Sequence, residues 1–377
     1  MRIVSSARAR HCPRAAACGD VRSTRSALMG RLVFHDCDEF AESMVGIVGR
    51  FVPTARAASD WWIEATRVNS TTLTHSQIGG AATFAGDGGP EAITLGVPMT
   101  EPGASLIDGH ELDQRSIIIM RTARPWTFTS RGVCRWVGIT LPADHPAISV
   151  RTHEALASAR NRDIRIRTEP AQTSRIRALV SRLCAADESL RRIDETASVA
   201  AEEQIISAAA SALEQGLEIE DRHVGRPQFS RRRVIARALA LIQANAGQPL
   251  FVQDLCRAAQ VSERTLRNVF HEYFGVGPMR MVRVRQLHEI HAELLSAERA
   301  HDTVTRIASR FGVWDFSLFA RNYRRLYGES PSETLNQPPQ RRAAVPDGSW
   351  IRYASRIFVD DAVSLMQQDA ETSACYP

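Results

Sequence analysis

The rhythm of apolar and polar positions changes twice along the chain. From Arg31 to about His145 the apolar residues come in short runs broken by Gly, Pro and Asp: Trp61-Trp62-Ile63, Ala92-Ile93-Thr94-Leu95, Ser116-Ile117-Ile118-Ile119-Met120 and Trp136-Val137-Gly138-Ile139. Runs of that length, rich in β-branched and aromatic residues, predict the strands of a small barrel or sandwich. After Pro170 the period lengthens. Ile176, Leu179, Val180 and Leu183 fall at i, i+3, i+4 and i+7, and Val199, Ile205, Ile206 and Leu213 mark a second helix between about Thr196 and Gly216. These stripes suit either a two-helix dimer seam or packing against the barrel. The Gly and Pro of Val224-Gly225-Arg226-Pro227 then read as a linker.

From Phe229 onward short amphipathic helices follow in quick succession. Their apolar faces are Val234, Ala238, Leu241 and Ile242, then Val252, Leu255 and Ala259, then Leu266, Val269, Phe270 and Tyr273. Only Gln260-Val261-Ser262 separates the last two, with Ser262 placed to cap the later helix. Two short helices joined by so tight a turn form a helix-turn-helix, whose second helix can enter the DNA major groove. The arrangement then recurs. Val304, Ile307, Ala308 and Phe311 stripe a short helix with Asp302 as its expected cap, Gly312 opens a turn, and Phe316, Phe319, Tyr323, Leu326 and Tyr327 stripe the helix that follows. At an offset of 53, Leu266 falls on Phe319, Phe270 on Tyr323, Phe274 on Tyr327, Gly275 on Gly328 and Pro278 on Pro331. Between the copies, Pro278 to Ser296 predicts one helix with Val284, Leu287, Ile290 and Leu294 inward, roughly 28 Å long at 1.5 Å per residue. That length spaces two recognition helices toward the roughly 34 Å between successive major grooves on one face of DNA.

Composition sharpens this division. At 377 residues, two or more domains are expected, and 44% hydrophobic with 24% charged residues is ordinary globular usage. No apolar run approaches the roughly 20 residues of a membrane span. The seven cysteines are odd in number and never in a C-x-x-C pair, which suggests a reducing, cytoplasmic setting and no zinc knuckle. All 47 basic residues are Arg, so their distribution carries more weight than their number. Net charge is +5 over residues 1–30, −5 over 31–228, +6 over 229–336 and −1 over 337–377. An acidic body joined to a basic module of this size points to a polyanionic partner. Residues 1–30 read as a disordered Arg-rich leader, with a transit peptide and an initiator at Met29 as the alternatives.

The run Asp254-Leu255-Cys256, Val261-Ser262-Glu263-Arg264-Thr265-Leu266, Phe270 and Gly275-Val276-Gly277-Pro278 resembles the AraC/XylS double helix-turn-helix. So does the later run Ile307-Ala308, Phe311-Gly312, Asp315, Ser317, Phe319, Arg321, Tyr323, Gly328 and Ser330-Pro331. The resemblance covers about residues 230–335. Asp254-Leu255-Cys256, Arg264-Thr265-Leu266-Arg267-Asn268 and Gly275-Val276-Gly277-Pro278 look most like regulators of ethanolamine utilisation. The resemblance implies a β-rich domain that binds a small effector, helices that provide dimer contacts, and activation as the commonest mode of action. The usual Gly-Phe after the second turn is Gly312-Val313 in this chain.

The expected fold class is α+β multidomain. A disordered leader (1–30) precedes an N-terminal β-rich, cupin-like barrel for effector sensing (31–170) and a helical pair (171–222). An all-α double helix-turn-helix (230–335) and a flexible tail (336–377) complete it. With Leu266, Phe270 and Tyr273 inward, the base-reading positions of the first recognition helix are Glu263, Arg264, Arg267 and Asn268, since Arg grips guanine and Asn grips adenine with two hydrogen bonds each. The second helix offers Phe316, Ser317, Ala320 and Arg321, a poorer hydrogen-bonding set, of which Ser317 and Arg321 are the expected base contacts. Arg324 and Arg325 suit phosphates.

In the front half, His35, His75, His110, His145 and His153 are widely separated and form no metal-ligand motif, and no nucleophile elbow occurs. Gly86-Asp87-Gly88-Gly89-Pro90 reads as a turn. Trp61, Trp62, Trp126 and Trp136 are candidate pocket walls, with plain core as the competing role. The chain thus reads as a cytoplasmic transcription regulator with no catalytic residues, cofactor or metal. Its expected partners are double-stranded promoter DNA and a small-molecule effector, with RNA polymerase and a second copy as further candidates. A metal-dependent cupin-type enzyme with an accessory DNA-binding domain is the alternative, and an architectural DNA binder without effector is a third reading.

Overall fold

The computed structural model describes residues 30–88, 92–99, 103–120, 126–142, 145, 165–184, 195–220, 229–245, 248, 250–339, 350 and 354. Twelve strands and ten helices are assigned among them. The N-terminal part runs β1 (Gly30–Phe34), α1 (Cys37–Glu42), β2 (Ile47–Pro53), β3 (Trp61–Val68), β4 (Thr71–Ile78), β5 (Ala82–Gly88), β6 (Ala92–Pro98), β7 (Ser105–Ile107), β8 (His110–Glu111), β9 (Ser116–Met120), β10 (Trp126–Ser130), β11 (Cys134–Pro142) and β12 (Arg165–Arg167). All pairings are antiparallel. They build a seven-stranded sheet in the order β1-β3-β4-β11-β6-β9-β12 and a five-stranded sheet in the order β2-β5-β10-β7-β8.

The two sheets face one another over an aromatic interior. Phe40, Phe51, Trp61, Phe84 and Trp126 make a chain of ring contacts with centroids 4.7–5.8 Å apart, mostly edge-on or tilted. Strand alternation sends every second residue the other way. On the seven-stranded sheet, Leu73, Leu95, Val97, Val137 and Ile139 point outward into a second core, which is closed by α2 (Pro170–Cys184) and α3 (Glu195–Glu220) through Ile176, Val180, Ile205, Ile206 and Leu213. The stripes that also suited a dimer seam are therefore consumed by packing within the chain. Val199 is exposed instead.

The C-terminal part is helical: α4 (Phe229–Ala244), α5 (Val252–Ala259), α6 (Glu263–Phe274), α7 (Pro278–Ser296), α8 (Val304–Arg310), α9 (Phe316–Tyr327) and α10 (Pro331–Leu335). α5 with α6, and α8 with α9, are the two helix-turn-helix units. The long α7 carries Met281 and Val284 into the core of the first unit, and Leu287, Ile290 and Leu294 into that of the second.

Several expectations need correction. Gly86 to Gly88 are strand rather than turn, and Gly86 is needed there because a Cβ would stand 2.4 Å from the Val48 carbonyl oxygen. The cap of α8 is Thr303, whose hydroxyl accepts from Arg306 N, while Asp302 pairs with the Arg306 guanidinium. Phe316, read as part of an inward stripe, is exposed. The segment read as a flexible tail contributes Trp350 and Ala354 to the core of the first unit, with the Trp350 indole edge-on to Phe274 at 5.6 Å. Leader residues 1–29 and linker residues 221–228 lie outside the described residues.

Candidate nucleic-acid interface

Local chemistry sets each recognition helix. Gln260 ends α5 in the left-handed region at φ 57°, and the Ser262 hydroxyl then accepts from Thr265 N at 3.2 Å to start α6. Gly275 closes α6 at φ 67°, a conformation that favours a residue without Cβ. In the second unit, Asp315 caps α9 by accepting from Leu318 N at 2.8 Å, and Gly328 closes it at φ 83°. Both caps and both closing glycines keep the offset of 53 read from the sequence.

With Leu266, Phe270 and Tyr273 buried, Glu263, Arg264, Arg267 and Asn268 lie exposed on the opposite side of α6. Arg267 is paired with Glu263 one turn back. The pair holds its guanidinium near the helix surface, and DNA binding must exchange or share that partner. On α9, Ser317, Arg321, Arg324 and Arg325 are exposed, with Arg324 at a loose 4.0 Å from Glu333.

Missed in the sequence is an apolar cluster at the turn of the second unit. Trp314 is 80% exposed, Phe316 37% and Leu318 41%, although large apolar side chains are ordinarily covered. The one available signal was an aromatic inside a turn that no helical stripe required.

The DNA-reading part rests on the five-stranded sheet. The last carbonyls of α6 have no partner within their helix, and the sheet supplies donors. Thr129 Oγ1 donates to the Tyr273 carbonyl at 2.7 Å, and Thr83 Oγ1 to that of Phe274 at 3.4 Å. Arg232 of α4 meets buried Asp108 at 3.3 Å, and Arg280 of α7 donates to the Thr54 carbonyl at 3.0 Å. Val52 and Ala85 belong to the same core as Leu266 and Phe270. Around Gly328 a Cβ would come within 2.8 Å of the Arg56 guanidinium, so the β2–β3 connection touches the end of α9 as well.

A cavity of about 80 Å³ lies between the sheets. That is several times the roughly 10–15 Å³ one water needs. Phe51, Phe84, Trp126 and Phe128 line it from the five-stranded sheet, and Ile63, Ile118, Met120 and Trp136 from the other. Its polar lining consists of hydroxyls, those of Thr74, Ser76 and Thr94, with no charged side chain. The Trp126 Nε1 is buried and meets no acceptor among the described residues. Of the four candidate wall tryptophans, Trp126 and Trp136 line this space. Trp61 packs among the core rings, and Trp62 sits beneath the Arg31 guanidinium at 4.1 Å.

Among the described residues, His35, His75, His110 and His145 form no cluster that could hold a metal, and His153 lies outside the described residues. His75 is edge-on to Trp62 at 4.8 Å, and burial holds its pKa below the ordinary value. Burial also pushes the Cys134 thiol up to about 12, far from the reactive thiolate range. Among the described residues no helix is long and apolar enough to cross a membrane.

Comparison with known proteins agrees with this geometry. Residues 255–337 match the family model described as a helix-turn-helix domain. The "Probable thc operon regulatory protein" of Rhodococcus erythropolis is 35% identical over 108 residues, which cover 29% of this chain and 32% of that protein. The "XylDLEGF operon transcriptional activator" of Pseudomonas putida is 33% identical over 113 residues, 30% of this chain and 33% of its own length. A crystal structure described as a probable AraC family transcriptional regulator from Rhodopseudomonas palustris is 34% identical, covering 27% of this chain and 94% of that one, with a TM-score of 0.24. The chain spans about a third of the length of the curated relatives it matches. Its C-terminal part is a helix-turn-helix DNA-binding domain of the kind carried by AraC/XylS-type operon regulators.

Proposed function

We propose that the protein is an effector-responsive, sequence-specific transcription regulator, an activator of a catabolic operon, in which the β-rich domain senses a small molecule and the twin helix-turn-helix units read promoter DNA. One observation carries the reading: the five-stranded sheet is a single layer between the cavity and the DNA-reading part. Phe51, Phe84 and Phe128 line the cavity, while their immediate neighbours Val52, Thr83, Ala85 and Thr129 meet the helical domain. A guest that favours one position of those rings shifts the strands that hold the end of α6, and it acts on DNA binding only through different affinity for the two states. The two facing sheets are read as halves of a flattened cupin-like barrel.

The lining decides the class of guest. A neutral, largely apolar molecule fits, with an acceptor for the Trp126 indole N–H and small polar groups for Thr74 or Ser76. An ammonium ion such as ethanolamine finds no counter-charge there, and burying it unpaired is costly. The motif likeness to ethanolamine regulators therefore bears on the DNA-reading half alone. Activation is supported by the similarity to the Pseudomonas putida operon activator. Glu263, Arg264, Arg267, Asn268, Ser317 and Arg321 are assigned to bases, and Arg324 and Arg325 to phosphates. RNA polymerase and a second copy of the chain are further expected partners, and the cytoplasm is the expected location.

The test is a thermal-shift screen of the full chain against neutral aromatic, ionised aromatic and amine compounds, followed by footprinting with any compound that binds. Neutral apolar compounds are expected to raise the midpoint by mass action, to lose that effect in Trp126→Phe, and to change protection of a defined site. Stabilisation by charged amines alone, or a compound that binds without altering any footprint, overturns the reading.

A further inference from the structure

The opening turn of α1 carries Cys37 and Asp38, and the middle of α7 carries His288. The Cys37 sulfur, an Asp38 carboxylate oxygen and a His288 ring nitrogen all lie within 4.8 Å of one another, and all three residues are buried. His288 Nε2 stands 3.4 Å from Asp38 Oδ2. The thiol converges on both members of this Asp–His pair.

Thiolate, imidazole and carboxylate are together the donor set of a borderline transition metal. Tetrahedral bonds of about 2.0–2.3 Å place neighbouring ligand atoms roughly 3.5 Å apart. The His288–Asp38 separation of 3.4 Å already matches that spacing.

We propose that Cys37, Asp38 and His288 form a zinc-class metal site that fastens the rod between the two DNA readers to the sensing domain. The site is assembled across the domain seam, from residues about 250 positions apart. The Tyr327 ring stacks on His291 at 3.8 Å, one turn beyond His288. The fourth coordination position belongs to a water. Binding deprotonates the thiol and requires a neutral imidazole, so the metal competes with the His–Asp ion pair and is released in acid. A loaded site ties α7 to α1, and with it the placement of both recognition helices against the sensor.

Metal binding is measurable without DNA or effector, so its failure leaves the regulator reading untouched. Full-length protein stripped of metal is titrated with Co(II) and then Zn(II). One equivalent of Co(II) is expected to give a thiolate-to-cobalt charge-transfer band in the near ultraviolet, which Zn(II) displaces. Cys37→Ser should abolish the band. His288→Gln should weaken affinity by more than the roughly 10–100-fold that follows loss of a merely supporting hydrogen bond, with the circular dichroism of both variants unchanged. No band in the wild type, a band retained in Cys37→Ser, or undiminished affinity in His288→Gln overturns the proposal. Should a variant fail to fold, X-ray absorption of the zinc-loaded wild type decides: one sulfur in the shell supports the site, and none or several overturns it.

Discussion

The two helix-turn-helix units share a frame and differ in what they show to solvent. Ser262 and Asp315 start their recognition helices, Gly275 and Gly328 end them in the left-handed region, and Pro278 and Pro331 open the next helix. Phe270 and Tyr323 occupy the same place in the two cores. The second core is more polar: the Tyr323 hydroxyl is hydrogen-bonded with His291 Nδ1 at 2.6 Å and donates to Thr334 Oγ1 at 2.8 Å. On the outer faces the contrast is larger. α6 displays two arginines, a glutamate and an asparagine, whereas α9 and its turn display Trp314, Phe316 and Leu318 around Ser317 and Arg321. A repeated frame therefore does not repeat the mode of reading. On the proposed assignment, the first unit reads bases by hydrogen bonds, and the second makes apolar contacts, such as with thymine methyl groups, and holds the backbone.

The largest expected effect tests the frame. Phe270→Ala should destabilise the helical domain by about 3–5 kcal/mol, because the ring leaves a cavity that packing only partly refills. Phe316→Ala should cost clearly less, since 37% of that residue is already exposed. Denaturant unfolding followed by circular dichroism separates the two, and equal losses would show that Phe316 is core. Next comes the reading itself. Arg267→Ala and Asn268→Ala should each cost about 1–3 kcal/mol of discrimination at one or two base positions, and Ser317→Ala clearly less. Binding to a panel of single-base operator variants measures this, and an equal or larger loss from Ser317→Ala reverses the proposed contrast. Smallest is the backbone term. Arg324→Ala and Arg325→Ala should weaken binding to all sequences alike and flatten the salt dependence by about one unit each. An unaltered slope in titrations across salt concentrations removes that residue from the phosphate contacts.

What could be read from the chain followed the range of the interaction. The helices of the DNA-reading part are set by signals within four residues, such as a cap, a 3.6-residue stripe and a closing glycine, so α6, α7 and α9 lie where periodicity put them. Strands β3, β6, β9 and β11 show as apolar runs. β4, by contrast, reads Thr71-Thr72-Leu73-Thr74-His75-Ser76-Gln77-Ile78, and its place in the sheet is set by partners on β3 and β11 that no local rule supplies. Exposure of Glu263, Arg264, Arg267 and Asn268 followed from the helical wheel. The cavity, the threonines that cap α6 from the sensor and the convergence of Cys37, Asp38 and His288 depend on approach between distant segments, and single-residue patterns do not encode that.

The match to the helix-turn-helix family ends at residue 337, yet the chain returns at Trp350 and Ala354 to fill the core around Phe274. A chimera that grafts the reader onto another sensor at the similarity boundary would inherit an open hole beside its first recognition helix. The transplantable unit is longer than the recognisable one.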